Sequence, residues 1–140
     1  ITANYLRHNS RSHIFSASIT PASTAAVSAA LDIMESEPER IEHLWEMTHY
    51  ALDGFRNMGC EIGNTSTPII PLFIRDNNKT FRITRELFDE GVFVNPVVSP
   101  AVPSDSTLIR FSLMATHTKE QLDFALDKIQ KCFKRYDLLK

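Results

Sequence analysis

One arginine stands inside an otherwise apolar, strand-like run, Thr107-Leu108-Ile109-Arg110-Phe111-Ser112-Leu113-Met114. Side chains alternate faces along a strand, so Ile109, Phe111 and Leu113 share one face, and Leu108, Arg110, Ser112 and Met114 share the other. The first face belongs in a core. The second carries a permanent charge, which is rarely buried without an anionic partner. A sheet built around this strand therefore has one covered face and one bare, polar-decorated face. The planar fork of Arg110 fits a carboxylate or a phosphate bidentately. A structural salt bridge and a ligand anion both satisfy it, and a lone strand arginine more often has the former. Just upstream, Asn95-Pro96-Val97-Val98-Ser99-Pro100-Ala101-Val102-Pro103 makes a stiff, proline-rich loop suited to walling a ligand site.

The remaining elements follow from local signals. Thr20 and Pro21 open a helix as N-cap and first-position proline. The Ala-rich stretch Ala22–Met34 predicts close packing on more than one side. Ser36-Glu37-Pro38-Glu39 restarts the chain as a capping box. Ile41, Leu44, Trp45, Ala51, Leu52 and Phe55 then mark an amphipathic face that stops at Gly59. A strand is expected over Pro68–Ile74, and Pro71 within it requires an edge or a bulge. Asp76-Asn77-Asn78-Lys79 reads as a turn or cap before a helix over Thr80–Asp89. That helix turns Phe81, Ile83, Leu87 and Phe88 inward and closes at Gly91. Val92–Val94 is expected as a second strand and Thr107–Met114 as a third. Thr118-Lys119-Glu120-Gln121 caps a last helix with Leu122, Ala125, Leu126, Ile129, Cys132 and Phe133 on one stripe. The sum is a two-layer α+β domain: a small, mostly antiparallel sheet with helices on one face.

Composition narrows the partners. The 140 residues suffice for one compact domain, and a net charge of −2 without a basic patch argues against nucleic acid or an anionic membrane. No apolar run approaches the ~20 residues of a transmembrane helix. Cys60 and Cys132 are far apart without CxxC spacing, the pattern of a reduced, cytoplasmic protein. His43 and His49 are six apart and do not form an i, i+4 metal pair; His8 and His13 have no ligand partner in sequence, so no metal is expected. His117 reads as a structural hydrogen-bonding residue, Trp45 and Phe55 as core, and Cys60 as no nucleophile.

The order of a proline loop, a short spacer, Leu108-Ile109-Arg110-Phe111-Ser112-Leu113-x-Ala115-x-His117-Thr118 and an amphipathic helix resembles the C-terminal end of the α-oxoamine synthases. A second match, His13-Ile14-Phe15-Ser16-Ala17-Ser18-Ile19-Thr20-Pro21-Ala22, lies near the start, so the resemblance covers essentially the whole chain. These are pyridoxal-phosphate enzymes of the fold-type I class that condense an amino acid with an acyl-CoA. They include 8-amino-7-oxononanoate synthase, 2-amino-3-ketobutyrate CoA ligase, 5-aminolevulinate synthase and serine palmitoyltransferase. The resemblance implies a homodimeric transferase using pyridoxal 5′-phosphate. Residues 1–19 would be the tail end of the large cofactor-binding domain, 20–40 a linking helix and 41–140 the C-terminal small domain.

It also implies roles. Arg110 would bind the substrate carboxylate. Ser16 and Ser18 would reach the cofactor phosphate of the neighbouring subunit, although Ala17 stands where several relatives carry threonine. Val98, Ser99 and Pro100 would form a substrate-pocket loop. Biotin-pathway relatives carry Arg-Pro-Pro there. The arginine position falls on Val98, which leans the reading towards serine palmitoyltransferase and an uncharged acyl chain. The Schiff-base lysine would lie upstream, since Lys79, Lys119, Lys128, Lys131, Lys134 and Lys140 all fall outside a family-type motif. The chain then reads as a fragment that is inactive alone. A non-catalytic partner subunit and a free-standing carboxylate-binding module are the other readings, and the reading frame upstream of Ile1 separates them.

Overall fold

The computed structural model describes residues 1–14 and 16–139. Two positions singled out above, the motif aromatic Phe15 and Lys140, lie outside the described residues. The chain divides into two compact units, Ile1–Pro38 and Glu39–Lys140.

The first unit is helical: α1 (Thr2–Asn9), α2 (Arg11–Ile14) and α3 (Pro21–Ser36). Thr20 caps α3 as its sequence requires. Its Oγ1 accepts the Ser23 N–H at 3.2 Å, and Pro21 occupies the first turn, where no intrahelical donor is needed. None of the α3 side chains is buried by the chain. Val27, Leu31, Ile33 and Met34 stay exposed on a helix whose small residues had predicted close packing.

The second unit runs α4 (Glu39–Asn57), β1 (Ile69–Phe73), α5 (Asn77–Asp89), β2 (Asn95–Val97), a single 3₁₀ turn (Ser104–Ser106), β3 (Leu108–Ser112) and α6 (Lys119–Arg135). The strands form one antiparallel sheet in the order β1-β3-β2. Proline dictates that order. Pro71 in β1 and Pro96 in β2 cannot donate to a ladder on both sides, and each sits on an outer strand. The proline-free strand, β3, takes the centre. Ile70, Leu72, Ile109 and Phe111 turn inward to join Met47, Ala51, Leu52 and Phe55 of α4, Ile83 and Leu87 of α5, and Leu122, Ile129 and Phe133 of α6 in one core. Phe55 and Phe111 meet edge to face at 5.1 Å. This is the expected two-layer α+β arrangement, with Arg110 and Ser112 exposed on the opposite face.

Besides the uncovered α3, the expected capping box at Ser36 is not built, because Ser36 ends α3 with its hydroxyl donating to the Asp32 carbonyl at 2.7 Å. Three further expectations need correction. The second strand is Asn95–Val97, not Val92–Val94. Val92 and Val94 are buried and Phe93 is exposed, a strand-like alternation. However, the Val92 N–H returns to the Leu87 carbonyl at 2.8 Å, and pairing with β3 begins only at Asn95. On α5 the inward stripe is Thr80, Ile83 and Leu87; Phe81 and Phe88 follow their stripe neighbours by one residue, a rotation of about 100°, and are exposed. On α4, Ile41 and Trp45 lie on the stripe of Thr48 and Leu52 one heptad earlier. They precede the stretch that the core covers, which begins at Met47, and Trp45 keeps 41% of its surface exposed.

The closing helix is fixed by the expected capping box, with Thr118 Oγ1 accepting the Gln121 N–H at 3.3 Å and Gln121 Oε1 accepting the Thr118 N–H at 3.0 Å. Replacing Phe55 with alanine is expected to lower unfolding stability by about 3–5 kcal/mol, because it empties a fully buried ring site beside Phe111. Urea titration followed by circular dichroism measures it.

Candidate functional site

β3 brings Arg110 to the bare face of the sheet by simple alternation: Ile109 and Phe111 are buried, Arg110 and Ser112 exposed. Register then sets its neighbours. Arg110 stands between Pro71 of β1 and Asn95 of β2, three residues abreast on one face. Among the described residues the Arg110 guanidinium forms no salt bridge, so the internal ion pair that a lone strand arginine more often makes is not built here.

Arg110 opens onto a cleft of about 720 Å³ between the β2–β3 edge and the start of α6. Its polar lining includes Asn95, Ser112, His117 and Gln121, and its apolar wall includes Phe93, Met114 and Phe124. Phe93 is 76% exposed, and Met114 and Phe124 are about half exposed, so this wall is a wet apolar surface around a fixed cation. Glu120 also borders the cleft; its own backbone N–H and the Thr118 hydroxyl hold its carboxyl below the usual carboxylate range.

His117 is fixed from two directions. Its Nδ1 accepts the Met114 N–H at 3.1 Å, which leaves the ring proton on Nε2. Its carbonyl bonds to His43 Nε2 at 2.8 Å. The structural reading of His117 therefore holds, and the same bonds orient its ring beside the cleft. Asn95 and His117 were not legible as site residues. Asn95 gains its place from cross-strand register, and His117 from a turn after β3; neither leaves a periodic signal.

Val98, Ser99 and Pro100 do not line this cleft. They follow β2 into the loop, where the Ala101 N–H returns to the Val98 carbonyl at 2.9 Å and the Ser99 N–H reaches Asn77 Oδ1 at 3.4 Å. The Ser99–Pro100 peptide is cis. Ser16 and Ser18 lie in the first unit, on the exposed segment that leads into the Thr20 cap, and neither hydroxyl is engaged by another described residue. Of the described lysines, Lys79, Lys119, Lys131 and Lys134 are exposed, and Lys128 is bound to Glu90 at 2.5 Å. Cys60 and Cys132 are buried and unpaired, and burial pushes both thiols up to about 11, so neither is a nucleophile at neutral pH. Among the described residues no three metal-ligating side chains cluster, and no helix is long and apolar enough to cross a membrane.

The family model for aminotransferase class I and II matches residues 2–129. The chain belongs to that family. It is 60% identical over 136 residues to the serine palmitoyltransferase of Bacteroides thetaiotaomicron, covering 97% of this chain and 34% of that protein. It is 40% identical over 139 residues to the 8-amino-7-oxononanoate synthase of Bacillus pumilus, covering 99% of this chain and 36% of that one. Among solved structures, the Sphingomonas wittichii serine palmitoyltransferase superposes with a TM-score of 0.80 at 25% identity, over 99% of this chain and 35% of that chain. The expected family and fold are thus met, and the chain spans about a third of the length of the relatives it matches.

Proposed function

We propose that this chain is the C-terminal part of a pyridoxal-phosphate-dependent acyl-CoA:amino acid C-acyltransferase of the serine palmitoyltransferase type. In this reading residues 1–19 end the large cofactor-binding domain, 20–40 link the domains and 41–140 form the small domain. The observation that carries it is the unpaired Arg110 guanidinium, held on a rigid central strand beside an apolar-walled cleft. Sequence identity of 60% to a serine palmitoyltransferase supports the type, against 40% to an 8-amino-7-oxononanoate synthase. Val98, in place of the arginine of the biotin-pathway pattern, accords with an acyl chain that carries no second carboxylate.

The residues present suit the cofactor. Ser16 and Ser18 offer two uncommitted hydroxyls next to a helix N-terminus, a donor set for a phosphate. When bound, pyridoxal phosphate supplies the electron sink for carbanion chemistry at Cα. The chain itself supplies orientation. Arg110 takes the amino-acid carboxylate bidentately and fixes the direction of the Cα bonds; Asn95 and the His117 Nε2–H stand beside it as neutral donors. The apolar wall of Phe93, Met114 and Phe124 borders that contact and offers a surface for the acyl chain. The lysine that would hold the cofactor belongs to the part of the protein upstream of this chain. A cytoplasmic homodimer completes the proposal, and the two unpaired thiols and the charge of −2 accord with it.

In the full-length protein, Arg110→Ala is expected to lower kcat/KM for the amino acid roughly 30–150-fold, corresponding to ~2–3 kcal/mol for one charged contact. Acyl-CoA affinity should stay near wild type. Steady-state kinetics with each substrate varied in turn check both, and unchanged amino-acid kinetics refute the role.

A mixing experiment addresses Ser16 and Ser18. One inactive full-length variant lacks the upstream lysine, and the other has both serines changed to alanine. If sites are shared across a two-fold dimer, each mixed dimer has one intact site and recovers up to about half the activity. No recovery, with subunit exchange verified by mass, assigns the serines to their own chain or to no cofactor role.

A further inference from the structure

The proline-rich loop after β2 is held from one corner of the fold, the turn between β1 and α5. Arg75 occupies that corner with φ of 64°, a left-handed conformation that L-residues other than glycine, asparagine and aspartate rarely adopt. Such a conformation persists only where surrounding contacts enforce it. Here they converge on the loop. The Arg75 Nε donates to Glu61 Oε2 at 3.3 Å, its Nη2 donates to Glu61 Oε1, and its Nη1 donates to the Asp105 carbonyl at 2.9 Å. The guanidinium also lies over the Phe73 ring, 5.2 Å from its centre. The main-chain N–H groups of Ile74 and Arg75 both donate to the Thr107 carbonyl, at 3.0 and 2.9 Å. Two residues on, Asn77 Oδ1 accepts the Ser99 N–H at 3.4 Å. The loop is thus gripped at its start, at Ser99, and at its end, at Asp105 and Thr107, by two residues of one corner, Arg75 and Asn77, and Ile74 beside them.

A surface ion pair alone carries little energy. This one differs in what it joins. Glu61 anchors the guanidinium on one side, and the bond to Asp105 hands that anchoring to the 3₁₀ turn that feeds β3. The left-handed backbone aims the side chain across the turn while its own N–H and that of Ile74 point at the Thr107 carbonyl. Losing the guanidinium frees the Asp105 end; losing only the backbone strain does not.

We propose that Arg75 is a positioning residue that sets the pose of the 98–106 loop and, through Val98, Ser99 and Pro100, the acyl groups the enzyme accepts. This rests on the reading of that loop as a substrate wall. The test uses the full-length protein in two variants. Arg75→Gly removes the clamp while suiting the left-handed backbone, and Arg75→Lys keeps the charge without the fork. Hydrogen exchange over residues 98–107 is expected to quicken about tenfold or more in both, with exchange in α4, α5 and α6 unchanged. With acyl-CoA substrates of graded chain length, KM for the preferred one should rise about tenfold and the length preference should flatten, while kcat and the amino-acid KM move less than about threefold.

Unchanged loop exchange overturns the clamp whatever the activity. Quickened exchange with an unaltered chain-length profile overturns the substrate role. A full-length protein that transfers no acyl group from any acyl-CoA refutes the functional reading itself, and the exchange arm still judges the clamp.

Discussion

The structure depends on one strand that is forced to be central and forced to be two-faced. β3 alone among the three strands has every backbone donor, and it is flanked by β1 and β2, which each carry a proline. Its alternation then leaves no freedom. Ile109 and Phe111 must enter the core with Phe55, Ile70 and Leu72, which obliges Arg110 to face away. A one-residue slip of register would bury the guanidinium and expose Ile109 and Phe111 together. Core burial and the presentation of the charge are therefore a single constraint.

What the charge meets follows from the elements on either side. β2 sets Asn95 beside Arg110, the turn after β3 sets His117, and the capped start of α6 brings Gln121 and Phe124 to the same cleft. The corner at Arg75 holds the loop between β2 and β3, so the strand, its cleft and the loop share one frame. The wall of Phe93, Met114 and Phe124 stays exposed beside the cleft, and the chain is about a third as long as its relatives.

Much of this was legible in the sequence, for physical reasons that differ by residue. Caps at Thr20, Asp76 and Thr118 are local chemistry, and each forms as read. Pro71 announced an edge because a missing N–H cannot be supplied from elsewhere. Arg110 was legible because charge and alternation conflict at one position. Phe81 and Phe88 misled because hydrophobicity reports preference for a core and not the angle at which a helix meets it. Val92–Val94 misled because alternation reports burial, while a strand also needs a partner at hydrogen-bonding distance. Asn95, His117 and Arg75 owe their places to register and tertiary turns, and an arginine at positive φ runs against any propensity. The roles of Ser16, Ser18 and Val98–Pro100 came from family resemblance, which no local rule supplies.

The central claim is that Arg110 recognises a carboxylate. Calorimetric binding of serine and of serinamide to the full-length protein, with and without Arg110→Ala, isolates that contact as a cycle. Wild type should bind serine at least about 30-fold more tightly than serinamide, and the variant should bind the two alike. A variant that keeps the full preference for serine would show that another group reads the carboxylate, and would contradict the account.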